Sequence, residues 1–265
     1  MAWATVNRDG TAIAVAFVRE QLAEADGMTL VELDDALVIA VMEGQRTLGS
    51  LFEQPPVKVS SSIAEQISAQ DIIAWTRRYP AIMGSDDVDA LCRVAGMIKP
   101  DAIAVEVGSR LGGSAKIILD HAPSIKRLYC FDTEWRQPIN RGIREPWMDP
   151  MREHWQLDDY ETCLQFAQHL LKDYPMVRLL PLYSPDDIGW WSETVDFIFE
   201  DSSHVNPQLR DNLDFWVPLV KSGGIIAGHD YSETWPDVVN EVNALSHRLG
   251  AALQVQDTVW WMIKP

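Results

Sequence analysis

The sequence predicts an α/β protein. Residues 101–265 are expected to form a doubly wound, mostly parallel, seven-stranded sheet, preceded by a helical extension over residues 1–100. Three observations carry this expectation. From Asp101 onward, short apolar runs alternate with amphipathic stretches, the pattern of repeated βαβ units. The first run leads into a glycine-rich turn, EVGSRLGGS, over residues 106–114. The length of 265 residues, 47% of them hydrophobic, allows one sizeable domain plus an appendage rather than two large domains.

The elements follow in order. TLVELDDALVIAVMEGQRTLGSLF (29–52) carries apolar residues at helical spacing, and SSIAEQISAQDIIAWTRRYP (61–80) starts with serine caps and stops at Pro80. SDDVDALCRVAGMIKP (85–100) reads as another capped helix. The apolar runs AIAVEV (102–107), LYCFD (128–132), VRLLPL (177–182), VDFIFED (195–201) and GGIIAGHD (223–230) are nearly continuous, as strands covered on both faces should be. Between them, Tyr160, Cys163, Leu164, Ala167, Leu170, Leu171 and Tyr174 form one stripe of a covering helix. The next helix takes Asn206 as cap and Pro207 as its first residue and closes at Gly223; another runs from Pro236 to Gly250. The tail LQVQDTVWWMIKP alternates around Asp257, which predicts a terminal β-hairpin.

Composition narrows the function. With 39 acidic against 22 basic residues the net charge is −17, a field that repels a polyanion, so nucleic acid is not an expected partner. Cys92, Cys130 and Cys163 share no metal-ligand spacing and sit in apolar patterns, which predicts reduced, buried thiols and a cytoplasmic setting. No signal peptide pattern is visible, and no apolar run approaches the roughly 20 residues of a membrane helix, so no membrane contact is expected.

The glycine turn lacks the second glycine of a dinucleotide fingerprint, because Gly108 is followed by Ser109, Arg110 and Leu111. Gly108 and Gly113 have the spacing of an NTP loop, but Ser114 stands where its lysine belongs. Glu106, two positions before the first glycine, would repel phosphates and suits a ligand carrying an ammonium or sulfonium group. S-adenosylmethionine is such a ligand, and its ribose hydroxyls need an acid at the end of the second strand. Asp132 is in that place, about 20 residues after the turn.

With these residues the sequence resembles the class I S-adenosylmethionine-dependent methyltransferases, in the small-molecule branch that includes macrolide-sugar O-methyltransferases. The resemblance covers residues 100–265 through EVGSRLGGS, FDTEW, VDFIFEDSSH, DFWVPLVKSGGIIAGHDY and VWWMIKP, the pair EDSSH and GHDY being its specific part. It implies a Rossmann-like methyltransferase fold, a cytoplasmic enzyme and a small-molecule acceptor. It also implies that Glu106, Gly108, Ser109, Gly112, Ser114 and Asp132 hold the cofactor. In this family the loop after the third strand touches adenine, which points to Ser184 and Asp186.

A second group joins Asp201 at the end of the fourth strand with His229 and Asp230 at the end of the fifth, neighbours in a doubly wound sheet. Two carboxylates and an imidazole suit Mg²⁺ or another divalent cation with open water positions, which would lower the pKa of a substrate hydroxyl. His204, three residues after Asp201, is then the expected general base. The metal-dependent sugar O-methyltransferases carry D-x-x-H after the fourth strand, matched by Asp201 and His204. They carry an acidic pair after the fifth, from which His229 departs. The packing alternative for His229 and the cap alternative for His204 stay open at this stage.

Residues 133–157 hold three tryptophans, four arginines (Arg136, Arg141, Arg144, Arg152) and three prolines without helical or strand period, as a substrate lid would. The arginines would take an anionic acceptor or pair with nearby acids; Trp190 and Trp191 would stack on a ligand or fill core. The first 100 residues suit a cap or a contact between identical subunits, and a homo-oligomer is expected. The competing functions are a nicotinamide-dependent oxidoreductase and a non-catalytic nucleoside-binding module.

Overall fold

A computed structural model of the chain describes residues 2–6, 12–16, 29–33, 76–136, 138–139 and 149–265. The chain folds as two compact units, Met1–Gln66 and Ile67–Pro265. In the first, β1 (Ala2–Val6) pairs antiparallel with both β2 (Ala12–Ala16) and β3 (Thr29–Leu33), giving a three-stranded sheet. The helix expected from Thr29 is therefore a strand over its first five residues: TLVEL carries the β-branched Thr29 and Val31, and pairing with β1 overrides the helical spacing. The rest of that stretch, and most of the helix expected over 61–80, lie outside the described residues.

The second unit opens with α1 (Ser85–Ala95), whose first turn is closed by the Asp87 carboxylate accepting from the Gly84 N–H at 3.1 Å. Then come β4 (Ile103–Val107), α2 (Gly113–His121), β5 (Arg127–Phe131), α3 (Asp149–Trp155), α4 (Cys163–Leu170), β6 (Val177–Leu180) and β7 (Val195–Glu200). The unit ends with α5 (Gln208–Leu219), β8 (Val220–Gly228), α6 (Pro236–Leu249), β9 (Gln254–Gln256) and β10 (Val259–Ile263). Seven strands form one sheet in the order β6-β5-β4-β7-β8-β10-β9, in which β10 alone runs against the others, pairing antiparallel with both β8 and β9. The terminal hairpin turns at Asp257, in the left-handed region at φ 52°.

Both faces of the sheet are covered, which is why its strands read as unbroken apolar runs. Ala104, Cys130, Phe197, Ala227 and Trp261 face one core with residues of α1, α2 and α4, among them Leu91, Ile117 and Phe166. Ile103, Val105, Ile198, Ile226, Trp260 and Met262 face the other with residues of α5 and α6, among them Leu213, Trp216 and Val242. Leu91 is fully buried, so truncation to alanine costs about 2–5 kcal/mol.

Two boundaries differ from expectation. α5 closes at Leu219 rather than Gly223, because Pro218 removes an N–H and its ring crowds the preceding turn; β8 starts at once with Val220 paired to Val195. The start of α5 moves to Gln208 and the cap position to Pro207, while the Asn206 Oδ1 accepts from the Arg210 N–H in the first turn at 3.2 Å. Within 133–157, Asp149–Trp155 is helical and Trp135 is fully buried with its indole N–H on the Arg110 carbonyl, so part of this stretch is core. Arg141 and Arg144 lie outside the described residues, and Arg152 pairs with Asp158. Trp191 is core, edge-on to Tyr129 at 4.6 Å, while Trp190 is exposed. No helix among the described residues is long and apolar enough to cross a membrane.

Candidate functional site

Register builds the site. Val107 lies opposite both Phe131 and Glu200, and Glu200 opposite Gly228, so β4, β5, β7 and β8 end in one row. The residues just beyond that row are Gly108, Asp132, Asp201 and His229. They line a single cavity of about 500 Å³, a size suited to a small organic ligand, at the carboxyl ends of the strands.

The glycine turn is shaped by close packing. Gly108 sits at φ 94°, and a Cβ there would run into the Asp201 carbonyl. At Gly113 the obstacle would be the backbone of Pro80 and Ala81, whose segment crosses the start of α2 and supplies Ala81, Ile82 and Met83 to the cavity wall. The structure puts Gly108, Ser109 and Ser114 on the wall. Gly112 stands behind as the left-handed cap of α2, at φ 78°.

Glu106 does not reach the cavity. It is fully buried beneath the turn, where it accepts the Ser109 hydroxyl. Burial pushes its carboxyl up to about 7, and one of its oxygens has no hydrogen-bond partner. The expected direct contact with a ligand is corrected accordingly: at the fourth position of β4 the side chain points into the interior, so Glu106 braces the turn from below. Asp132 does line the cavity. Its two oxygens accept the Arg110 and Glu134 N–H groups, each at 2.6 Å, and burial raises its carboxyl to about 6.

Ser184 also lies on the wall, but its hydroxyl is committed. It donates to Asn212 Oδ1 at 2.8 Å and accepts from the Trp216 indole at 2.9 Å. Asp186 is exposed in the turn Asp186–Ile188 and is absent from the wall, so its expected ligand contact is withdrawn. The polar chain continues from Asn212 to Glu200, a buried acid that burial raises to about 7.

Four titratable groups converge on the same cavity. Asp230, at φ 60°, stands 2.8 Å from His204 Nε2 and 3.1 Å from His229 Nδ1. Asp201 stands 3.3 Å from the same Nδ1. Burial opposes a charge on either imidazole. It is outweighed at His229 by Asp201, Asp230 and Asp87, which hold the ring well above its usual range, and at His204 by Asp230 and Asp201. Asp230 is lowered by the two imidazoles despite its burial, whereas Asp201 is raised by burial. One ligand atom each from Asp201, His229 and Asp230 falls within 4.8 Å of the others, close enough to share one cation.

Asp87 and Thr258 are part of this cluster and were not foreseen. The Asp87 carboxylate reaches His229 Nε2 at 3.3 Å and accepts the Thr258 N–H and hydroxyl, both at 2.9 Å. The only local signal was an acid at the third position of a capped helix, which is ordinarily a surface feature.

A family model described as a methyltransferase domain matches residues 105–231. No curated protein sequence matches the chain. Among solved structures, the O-methyltransferase NovP superposes with a TM-score of 0.53 at 14% identity, covering 77% of this chain and 99% of its own. Precorrin-6y C5,15-methyltransferase from Geobacter metallireducens GS-15 gives 0.47 at 14% identity (69% and 89% covered), and cofactor-bound Rv0187 from MTB gives 0.43 at 15% (88% and 99%).

Proposed function

We propose that this chain is an S-adenosylmethionine-dependent methyltransferase, a reading supported by the match of residues 105–231 to a methyltransferase-domain model, and that it methylates a hydroxyl of a small molecule, such as a sugar or a natural-product intermediate, with a divalent cation such as Mg²⁺ assisting. The observation that supports this reading is the presence of Asp201, His204, His229 and Asp230 on the wall of the cavity that Gly108 and Asp132 also line.

The cavity fits the cofactor. Its lining carries the acids Asp132, Glu134, Asp201 and Asp230 against Arg110 and two histidines, which suits a sulfonium and not a diphosphate. S-adenosylmethionine supplies an electrophilic methyl group. The chain's own task is alignment and exclusion of water. Asp132 keeps unused lone pairs for ribose hydroxyls, and Gly108, Ser109 and Ser114 present the turn, with Gly112 and Glu106 supporting it from behind. Ser184 fixes the opposite wall through Asn212 and Trp216.

The rim also fits a cation. Asp201, His229 Nδ1 and Asp230 would hold it, and an ion bound there lowers the pKa of a coordinated hydroxyl. Asp230 stands 2.8 Å from His204 Nε2 and pairs with it, which leaves Nδ1 to take the acceptor's proton as the oxygen–carbon bond forms and the sulfur–carbon bond breaks. The resulting imidazolium stays paired with Asp230. The −17 charge of the chain supports a small-molecule acceptor over nucleic acid.

The test is release of S-adenosylhomocysteine with a panel of hydroxyl and amine acceptors, with and without EDTA. Turnover is expected on hydroxyl acceptors alone, abolished by chelator and restored by Mg²⁺ or Mn²⁺. Full turnover in EDTA removes the cation from the mechanism, and methylation of amines removes the hydroxyl.

A further inference from the structure

We infer that Asp87, on α1 and outside the matched segment 105–231, is a positioning residue that dictates which nitrogen of His229 faces the rim. The inference rests on the proposed cation-assisted reading for its catalytic meaning, but its geometry stands alone.

Asp87 does more than a helix cap requires. An acid at the third position of a helix needs only to receive the N–H at the cap, and it does so at the surface in most helices. Here Asp87 is 5% exposed and accepts both the Thr258 N–H and the Thr258 hydroxyl, with His229 Nε2 3.3 Å away. Burying a carboxylate this deeply is costly unless its lone pairs are filled, and these partners fill them. The contacts tie the start of α1, the β9–β10 turn and the end of β8 into one knot.

The His229 ring is also buried, at 8% exposure, and the Trp260 indole donates to the His229 carbonyl at 3.2 Å, which holds its backbone. The Asp87 carboxylate stands 3.3 Å from Nε2 and favours a proton on that nitrogen. Nδ1 is thereby the nitrogen presented to Asp201 at 3.3 Å and Asp230 at 3.1 Å. A histidine that ligates a metal through one nitrogen ordinarily donates its other N–H to a carboxylate, and losing that partner weakens metal binding about 10- to 100-fold. Asp87 is placed to be that partner.

The test uses the full-length chain labelled with ¹⁵N-histidine, with the His229 ring resonances assigned by their loss in His229→Gln. In the wild type, Nε2 of His229 is expected to carry a slowly exchanging proton; a bare Nε2 overturns the inference with no variant needed. In Asp87→Asn that resonance should shift or exchange out. Mn²⁺ affinity, read by water-proton relaxation, should fall at least tenfold while S-adenosylhomocysteine affinity is retained. Thr258→Val is the structural control, expected to lower the melting temperature without moving the His229 resonance. An unmoved resonance in Asp87→Asn sinks the role of Asp87. A wild type that binds no Mn²⁺ sinks the cation reading instead, and the resonance still decides the question of Asp87.

Discussion

Glu200→Gln should convert a pH-dependent stability into a nearly flat one. Glu200 ends β7, is 4% exposed, and uses one oxygen to accept the Ser202 hydroxyl and N–H and the Asn212 amide. Its other oxygen is buried with no hydrogen-bond partner, and Asp201 follows it in sequence. Burial therefore favours the neutral acid and lifts its pKa from 4.5 to about 7. For an acid raised on folding, the stabilising contribution is complete below 4.5. It is lost as pH rises and is gone once pH exceeds about 7. At about 1.4 kcal/mol per pH unit the loss is about 3 kcal/mol by pH 8. Glutamine keeps the shape and cannot ionise, so the variant should match the wild type near pH 4.5 and exceed it by about 3 kcal/mol at pH 8. Urea melts of both proteins at pH 4.5, 6, 7 and 8 measure the difference directly. Two curves that run parallel across this range would show that Glu200 is ionised in the fold and would refute the reasoning.

Asp132→Ala should weaken S-adenosylhomocysteine binding in calorimetry by about 1.5–3 kcal/mol, the scale of a charge-assisted hydrogen bond; unchanged affinity would remove Asp132 from the ligand. His204→Ala should lower turnover about 10²- to 10⁴-fold with cofactor affinity preserved, and a defect confined to cofactor binding would contradict its role as base. Gly113→Ala should destabilise the chain and reduce cofactor affinity, because the new methyl meets the Pro80–Ala81 backbone; a neutral effect in both assays would show that this crossing segment yields freely.

Most of the second unit was legible because its signals are local. Unbroken apolar runs placed β4 to β8 within a few residues, and the strand ends placed Asp132, Asp201 and His229 on one rim. What was hidden depends on distance along the chain. Asp87 and Thr258 are separated by 171 positions and meet only through the sheet order, so no spacing rule links them. Glu106 is buried beneath the glycine turn rather than on the cavity wall, because a sequence shows that an acid ends a strand, not which face its side chain takes at that row. The family resemblance points to Ser184 as an adenine contact, but its hydroxyl is bound to Asn212 and Trp216 of α5, partners that no local pattern reveals. Thr29–Leu33 is too short for periodicity to separate helix from strand, and pairing with β1 decides between them.

The position of β10 between β8 and β9 has a consequence for synthesis on the ribosome. A nascent chain that has emerged through β8 and α6 still lacks the strand that seals the Gly228 flank, and with it the Trp260 ring packed against that glycine and the Thr258 groups that hold Asp87. The Asp87 contact to His229 lacks its Thr258 support until β9 and β10 have been translated and paired with β8. On the proposed function, competence is thus a late event in the life of each molecule, because Asp87 gains its Thr258 partners only when that strand pair is in place.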